Sequence, residues 1–150
     1  LNDTAGGSFA PSDAELRSIL GDARTIAIVG LSSKRHRDSY RVAKYLQRNG
    51  YRIVPVNPNE TEVLGERAFP SLDSVPPDLH IDVVDVFRRP EHTPQIAAQA
   101  VRVGAKVLWL QEGIVNEDAR RIAEDAGLTV VMGVCIRRTR RRFEGFEAGG

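Results

Sequence analysis

The chain has one cysteine, Cys135, among its 150 residues. A lone thiol rules out an internal disulfide framework and suits a reducing compartment, so a cytoplasmic location is expected. Long apolar runs are also missing. None approaches the ~18 residues of a membrane span, and the first ten residues carry no apolar core of a secretory leader. A membrane partner is therefore not expected. Net charge is close to zero, +1 from 21 basic and 20 acidic residues, which removes the global field of a polyanion-binding protein. The three histidines, His36, His80 and His92, show no metal-ligand spacing. Two phosphate-binding signatures are absent as well: no Gly-Lys-Ser/Thr of a Walker A loop occurs, and no G-x-G-x-x-G.

What is present is an alternation of two patterns. Short β-branched runs occur at "TIAIVG" (25–30), "YRIVPV" (51–56), "IDVVDVF" (81–87), "KVLWL" (106–110) and "LTVVM" (128–132), as in strands of a parallel sheet buried on both faces. Helical periodicity fills three of the gaps. Val42, Tyr45 and Leu46 share a face, as do Ile96, Ala97, Ala100 and Val101, and again Ala119, Ile122, Ala123 and Ala126. Each of these segments ends at a glycine, Gly50, Gly104 or Gly127, as helix C-termini do. Ser12 and Glu15 have capping-box spacing ahead of a short amphipathic helix with Leu16, Ile19 and Leu20. "PSLDSVP" is expected to hold a short helical turn closed by Pro76-Pro77.

This β-α-β rhythm with right-handed crossovers predicts an α/β fold: Rossmann-like, doubly wound, a five-stranded mostly parallel sheet with helices on both faces. The expected division is a flexible arm over 1–11, one domain over 12–136 and a basic tail over 137–150.

In such a sheet ligands bind beyond the carboxyl ends of the strands, where strand order reverses. The first loop there, "GLSSKRHRDSY", starts at Gly30, offers Ser32 and Ser33 as hydroxyls, and adds Lys34, Arg35 and Arg37. The next helix is expected to start near Asp38 or Ser39, with one of them as N-cap, and to aim its free N–H groups at a phosphate. Residues 34–48 hold six Lys or Arg against Asp38 alone. NAD fits poorly: Gly30 stands alone, and the second strand ends in Asn57-Pro58 with no carboxylate for a ribose. At the other sheet-end loops, Arg88 and Arg89 could reach a phosphate, Phe87 could pack on a base, and Gln111 could bond an amide. Trp109 reads as core.

Five segments in order, "IAIVGLSSK…DSYRVAKYLQRNGYRIVPVNPN", "LGERAFPSLDSVP", "IDVVDVFRRPE", "GAKVLWLQEGIVNEDA" and "AGLTVVMGVC", resemble the CoA-binding domain family of small stand-alone bacterial and archaeal proteins. That family is similar to the amino-terminal domain of the succinyl-CoA synthetase α subunit, and the likeness runs over about 24–136. The resemblance implies a bound coenzyme A or acyl-CoA. It places Gly30, Ser32, Ser33 and Lys34 around the nucleotide phosphates with Arg41 facing them, and Asn57 and Pro58 near the adenosine. Val86, Phe87 and Arg88 then form a wall beside the adenine and pantetheine, and Gln111, Glu112, Gly113 and Ile114 approach the pantetheine arm. A lysine follows the 57–58 turn in the synthetase, whereas Glu60 stands near that place here.

No catalytic constellation is visible, so binding without catalysis is expected. Cys135, with Arg137 and Arg138 beside it, has the setting of a reactive thiol. The competing readings are an NAD(P)-binding oxidoreductase fragment and a nucleotide-sensing regulator associated with nucleic acid. The arginine run at 137–142 lacks interleaved aromatics and a reading motif, so a nucleic-acid partner is not expected. The partner expected is the small CoA ligand, and an apolar face could support a homodimer.

Overall fold

The computed structural model describes the backbone of residues 7–149 and the side chains of 7–144. All five apolar runs are strands: β1 Thr25–Val29, β2 Arg52–Val56, β5 Val83–Val86, β6 Val107–Leu110 and β7 Thr129–Met132. They form one sheet in the order β2-β1-β5-β6-β7, and all four pairings are parallel. Helices α1 Asp13–Asp22, α2 Asp38–Arg48, α3 Thr93–Arg102, α4 Glu117–Asp125 and α5 Ile136–Gly149 cover it. The 57–80 connection contains a two-residue hairpin, β3 Glu62–Val63 and β4 Glu66–Arg67, followed by 3₁₀ turns at Leu72–Ser74 and Pro77–Leu79.

Strand pleating splits the core into two layers. Ala27, Val29, Val54, Val84, Val86, Leu108 and Val130 face α3 and α4. There Ala97, Ala100, Ala119 and Ala123 are fully buried, and the lack of bulk lets the helices approach closely. Ile26, Ile28, Ile53, Val83, Val107, Trp109 and Val131 face α1, α2 and α5. Trp109 is fully buried, and its indole N–H donates to the Val134 carbonyl at 2.8 Å. An apolar body with a satisfied N–H is what a buried tryptophan requires.

Both expected ends change. Residues 1–6 of the expected arm lie outside the described residues, but Phe9 is pinned. Its N–H and C=O both pair with Met132, each at 2.8 Å, as an antiparallel bridge on the exposed edge of β7. The ring also lies under the Arg120 guanidinium. Nor is the 137–144 stretch a solvated tail, because it belongs to α5. Ile136, Thr139 and Phe143 follow helical spacing, are all buried, and seat the helix against the sheet layer of α1 and α2. Arg140 reinforces it with hydrogen bonds to the Tyr45 and Tyr51 hydroxyls, Asn49 and Glu144.

Candidate functional site

Strand order reverses between β1 and β5, since β2 lies on one side of β1 and β5 on the other. Gly30 sits at this reversal with φ +90°, and a Cβ there would lie 2.6 Å from the Phe87 carbonyl oxygen. Only glycine allows the loops leaving β1 and β5 to pass this closely.

Two clefts open at this end of the sheet and share Asp38 and Phe87. The first, about 380 Å³, is lined by Gly30, Ser32, His36, Arg37 and Ser39 besides the shared pair. The second, about 340 Å³, is walled by Val42, Gln111, Ile114, Cys135 and Arg137, with Glu112 and Arg138 at its rim. On the other side of the sheet, Pro58 and Arg88 line a smaller hollow of about 150 Å³.

Helix α2 begins at Asp38, and its N-cap is Arg37, which makes no side-chain capping bond. Neither Asp38 nor Ser39 is the cap expected from sequence. The first loop closes a turn of its own, with the Arg37 N–H donating to the Lys34 carbonyl at 3.0 Å, so the helix starts one residue earlier. Ser39 is buried, and its hydroxyl instead accepts the Ser32 N–H at 3.1 Å. The Ser32 hydroxyl in turn accepts the Lys34 N–H at 3.1 Å. These bonds fix the loop from within and leave the positive end of α2 beside the first cleft.

The cations around this end differ in availability. Lys34, Arg35, Arg37 and Arg88 have no carboxylate partner among the described residues, and the first three are exposed. Arg41, expected to face the phosphates, is held by Asp38 at 3.1 Å and is not in the wall of either large cleft. Arg89 is close to Glu91, at 3.9 Å.

The other expected residues separate by role. Asn57 braces the first loop, its Nδ2 donating to the Leu31 carbonyl at 3.0 Å. Val86 is fully buried and belongs to the core layer under α3, so it is no wall of the site; the pleat sends Phe87, its neighbour, into the clefts instead. Gln111 is 4% exposed, and its Oε1 accepts the Ile136 N–H at 3.1 Å. Its amide nitrogen, which has no bond among the described residues, remains for the second cleft. Gly113 takes φ +83° in the turn carrying Ile114, whose N–H donates to the Gln111 carbonyl at 2.9 Å. Glu112 pairs with Arg138 at 2.5 Å, and that guanidinium holds the carboxyl below its usual range. Cys135 is buried at the start of α5, in the wall of the second cleft.

Two carboxyl groups have contacts or surroundings that sequence reasoning did not give. Glu60 reaches back to the first loop, where its Oε2 accepts the Ser33 N–H at 2.8 Å. The carboxylate that follows the 57–58 turn thus braces the first loop. Asp85 lies in the centre of the sheet between Ile28 and Trp109, fully buried, with neither oxygen bonded. Burial pushes its pKa well above the usual carboxyl range, because an unpaired charge there would be stripped of water. Among the described residues no cluster of His, Cys, Asp or Glu could hold a metal, and no helix is long and apolar enough to cross a membrane.

The fold and its switch-point clefts define a Rossmann-like α/β domain. The family model described as "CoA binding domain" matches residues 24–139, and the chain belongs to that family. It is 44% identical over 127 residues to the uncharacterized protein YneT of Bacillus subtilis (strain 168), covering 85% of this chain and 93% of YneT. A hypothetical protein from Pyrococcus horikoshii OT3 superposes with a TM-score of 0.85 at 41% identity, covering 88% of this chain and 92% of that one. The chain is also 23% identical over 103 residues to acetate–CoA ligase [ADP-forming] II of Archaeoglobus fulgidus, matching 67% of this chain but 15% of the ligase.

Proposed function

We propose that this protein binds coenzyme A or an acyl-CoA non-covalently in the two joined clefts, without catalysing a reaction by itself. The observation that carries this reading is the unlike character of two neighbouring clefts that share Asp38 and Phe87. Around the first cleft stand a helix N-terminus without a side-chain cap and the uncompensated cations Lys34, Arg35 and Arg37. The second cleft is lined by Phe87, Val42 and Ile114 with the free amide nitrogen of Gln111. A ligand with a pyrophosphate at one end and a long arm of amides and methylenes at the other matches both. Family membership supports the same ligand.

In this reading the pyrophosphate lies at the start of α2, the adenosine lies towards Pro58 and Arg88, and the pantetheine arm runs past Phe87 towards Cys135. The location implied is cytoplasmic. Parallel calorimetric titrations of ligand-stripped protein with CoA, acetyl-CoA, NAD and NADP test it. Saturable heat with the two CoA species, unaffected by either dinucleotide, is the expected result. Heat with a dinucleotide and none with CoA would overturn it.

A further inference from the structure

Helix α5 starts in the wall of the second cleft, and several donors meet there without an acceptor. The first N–H of the helix, on Ile136, is taken by the Gln111 side-chain oxygen at 3.1 Å. The backbone N–H groups of Arg137 and Arg138 have no acceptor among the described residues. Gln111 is 4% exposed, and the bond through its oxygen holds its unbonded amide nitrogen beside the same helix start. Arg137 has no carboxylate partner among the described residues, and its Nε is buried without a hydrogen bond. Both side chains line the cleft together with Cys135.

Buried donors call for an acceptor, because each one left unmade costs the loss of its hydration. A guanidinium and a helix N-terminus both favour an acceptor that is negatively charged. The carboxylates of the cleft wall do not fill that role. Asp38 is engaged by Arg41, and Glu112 by Arg138, which leaves Arg137 uncompensated. The ligand's own phosphates are elsewhere when the pyrophosphate lies at the start of α2, since the arm running towards Cys135 is uncharged up to its thiol. An anion at this place then belongs to the group that the thiol carries. A thioester oxygen is neutral and satisfies one or two donors, whereas a carboxylate accepts up to about four. The whole cleft is about 340 Å³, so the chain between thioester and carboxylate is short.

We infer that the acyl group preferred at this site ends in a carboxylate. The ligand is a short dicarboxylic acid joined to CoA through one carboxyl group, with the other held by Arg137, the Gln111 amide and the first free N–H groups of α5. This inference rests on the CoA reading above and names the class of acyl group within that site. Charge-assisted hydrogen bonds in a partly enclosed cleft favour such a ligand by about tenfold.

The test is parallel titration of wild type, Arg137→Gln and Gln111→Glu with malonyl-CoA, succinyl-CoA and butyryl-CoA, acyl groups of similar length that differ in charge. Wild type is expected to bind one or both carboxylate-ended species about tenfold more tightly than butyryl-CoA. Arg137→Gln should remove most of that ratio, whatever change in affinity is common to all three. Gln111→Glu keeps an oxygen for the Ile136 N–H, turns the free donor into an acceptor, and should reverse the preference. Thermal midpoints check the fold, and Arg137→Gln decides alone if Gln111→Glu does not fold. A wild type that binds butyryl-CoA at least as tightly as both charged species, or a ratio that Arg137→Gln leaves unchanged, overturns this inference alone. Wild-type protein that binds none of the three, nor CoA itself, overturns the CoA reading and this inference with it.

Discussion

The loop at 34–37 has three Lys or Arg in four residues and the start of α5 at 137–142 has five in six. The fold uses them in opposite ways. In the loop, Lys34, Arg35 and Arg37 stand exposed with no ion-pair partner among the described residues. In α5, Arg138 is paired with Glu112, Arg140 with Glu144 and Arg142 with Asp13. One cluster is available to a ligand anion; most of the other joins parts of the protein to each other. What distinguishes a binding surface from a structural brace is whether the counter-charge already lies in the protein, and a count of basic residues cannot tell the two apart. Asp85 adds a third case, a charge that burial suppresses.

The largest expected effect tests α5 as part of the core. Phe143 is 4% exposed and packs in the layer with Leu16, Leu20 and Trp109. Phe143→Ala should cost about 3–5 kcal/mol of folding stability, measured by urea denaturation. A loss below about 1 kcal/mol would return α5 to the status of a tail.

Next comes the free cluster. Lys34→Ala combined with Arg37→Ala should weaken CoA binding about thirtyfold, about 2 kcal/mol, reduce its dependence on salt, and leave the thermal midpoint unchanged. Arg41→Ala should weaken it less, because Asp38 already engages that guanidinium. A larger effect from Arg41 than from the pair would reverse the assignment of free and occupied charge.

The suppressed charge predicts a pH effect. Burial raises Asp85 in the folded protein, whereas unfolding returns it to the ordinary carboxyl value. Below that ordinary value both states hold the proton. As pH rises above it only the unfolded state releases its proton, so this group's contribution to stability declines until the folded-state pKa is passed. Asp85→Asn cannot ionise and should remove this decline, whatever the variant's absolute stability. Denaturation midpoints from pH 4 to 8 measure it, and slopes identical to wild type would mean that Asp85 is not held protonated.

The parts of this molecule that were legible in sequence share a physical cause. Strands buried on both faces need uninterrupted β-branched runs, so all five stood out, and Gly30, Ser32 and Phe87 could be placed by being at strand ends. The same continuity hid Asp85, which sits inside such a run. Val86, which the resemblance alone put beside the ligand, is in the core because a period of two sends adjacent residues to opposite layers. The β3–β4 hairpin was too short for alternation to appear, and its turn sets Leu64 at φ +54°, a conformation that leucine does not advertise. In α5 the buried stripe of Ile136, Thr139 and Phe143 was masked by arginines. Glu60 was noted by position, but its bond to Ser33 was not legible, because the turn joins residues 27 positions apart.

The smallest expected effect is the sharpest control on the comparison. Arg142 meets Asp13 at 3.0 Å, but both side chains are more than half exposed. Water and salt screen such a pair, and ordering two long side chains offsets most of the attraction. Arg142→Ala should therefore change stability by no more than about 0.5 kcal/mol and leave CoA affinity and its salt dependence as they are in wild type. The same arginine-to-alanine change, made at a braced site and at the open loop, then differs in one respect, whether the lost charge was free to meet the ligand. A fall in CoA affinity for Arg142→Ala comparable to that of the loop variant would show that the field of the whole basic surface attracts the ligand, and the distinction between free and paired arginines would lose its functional meaning.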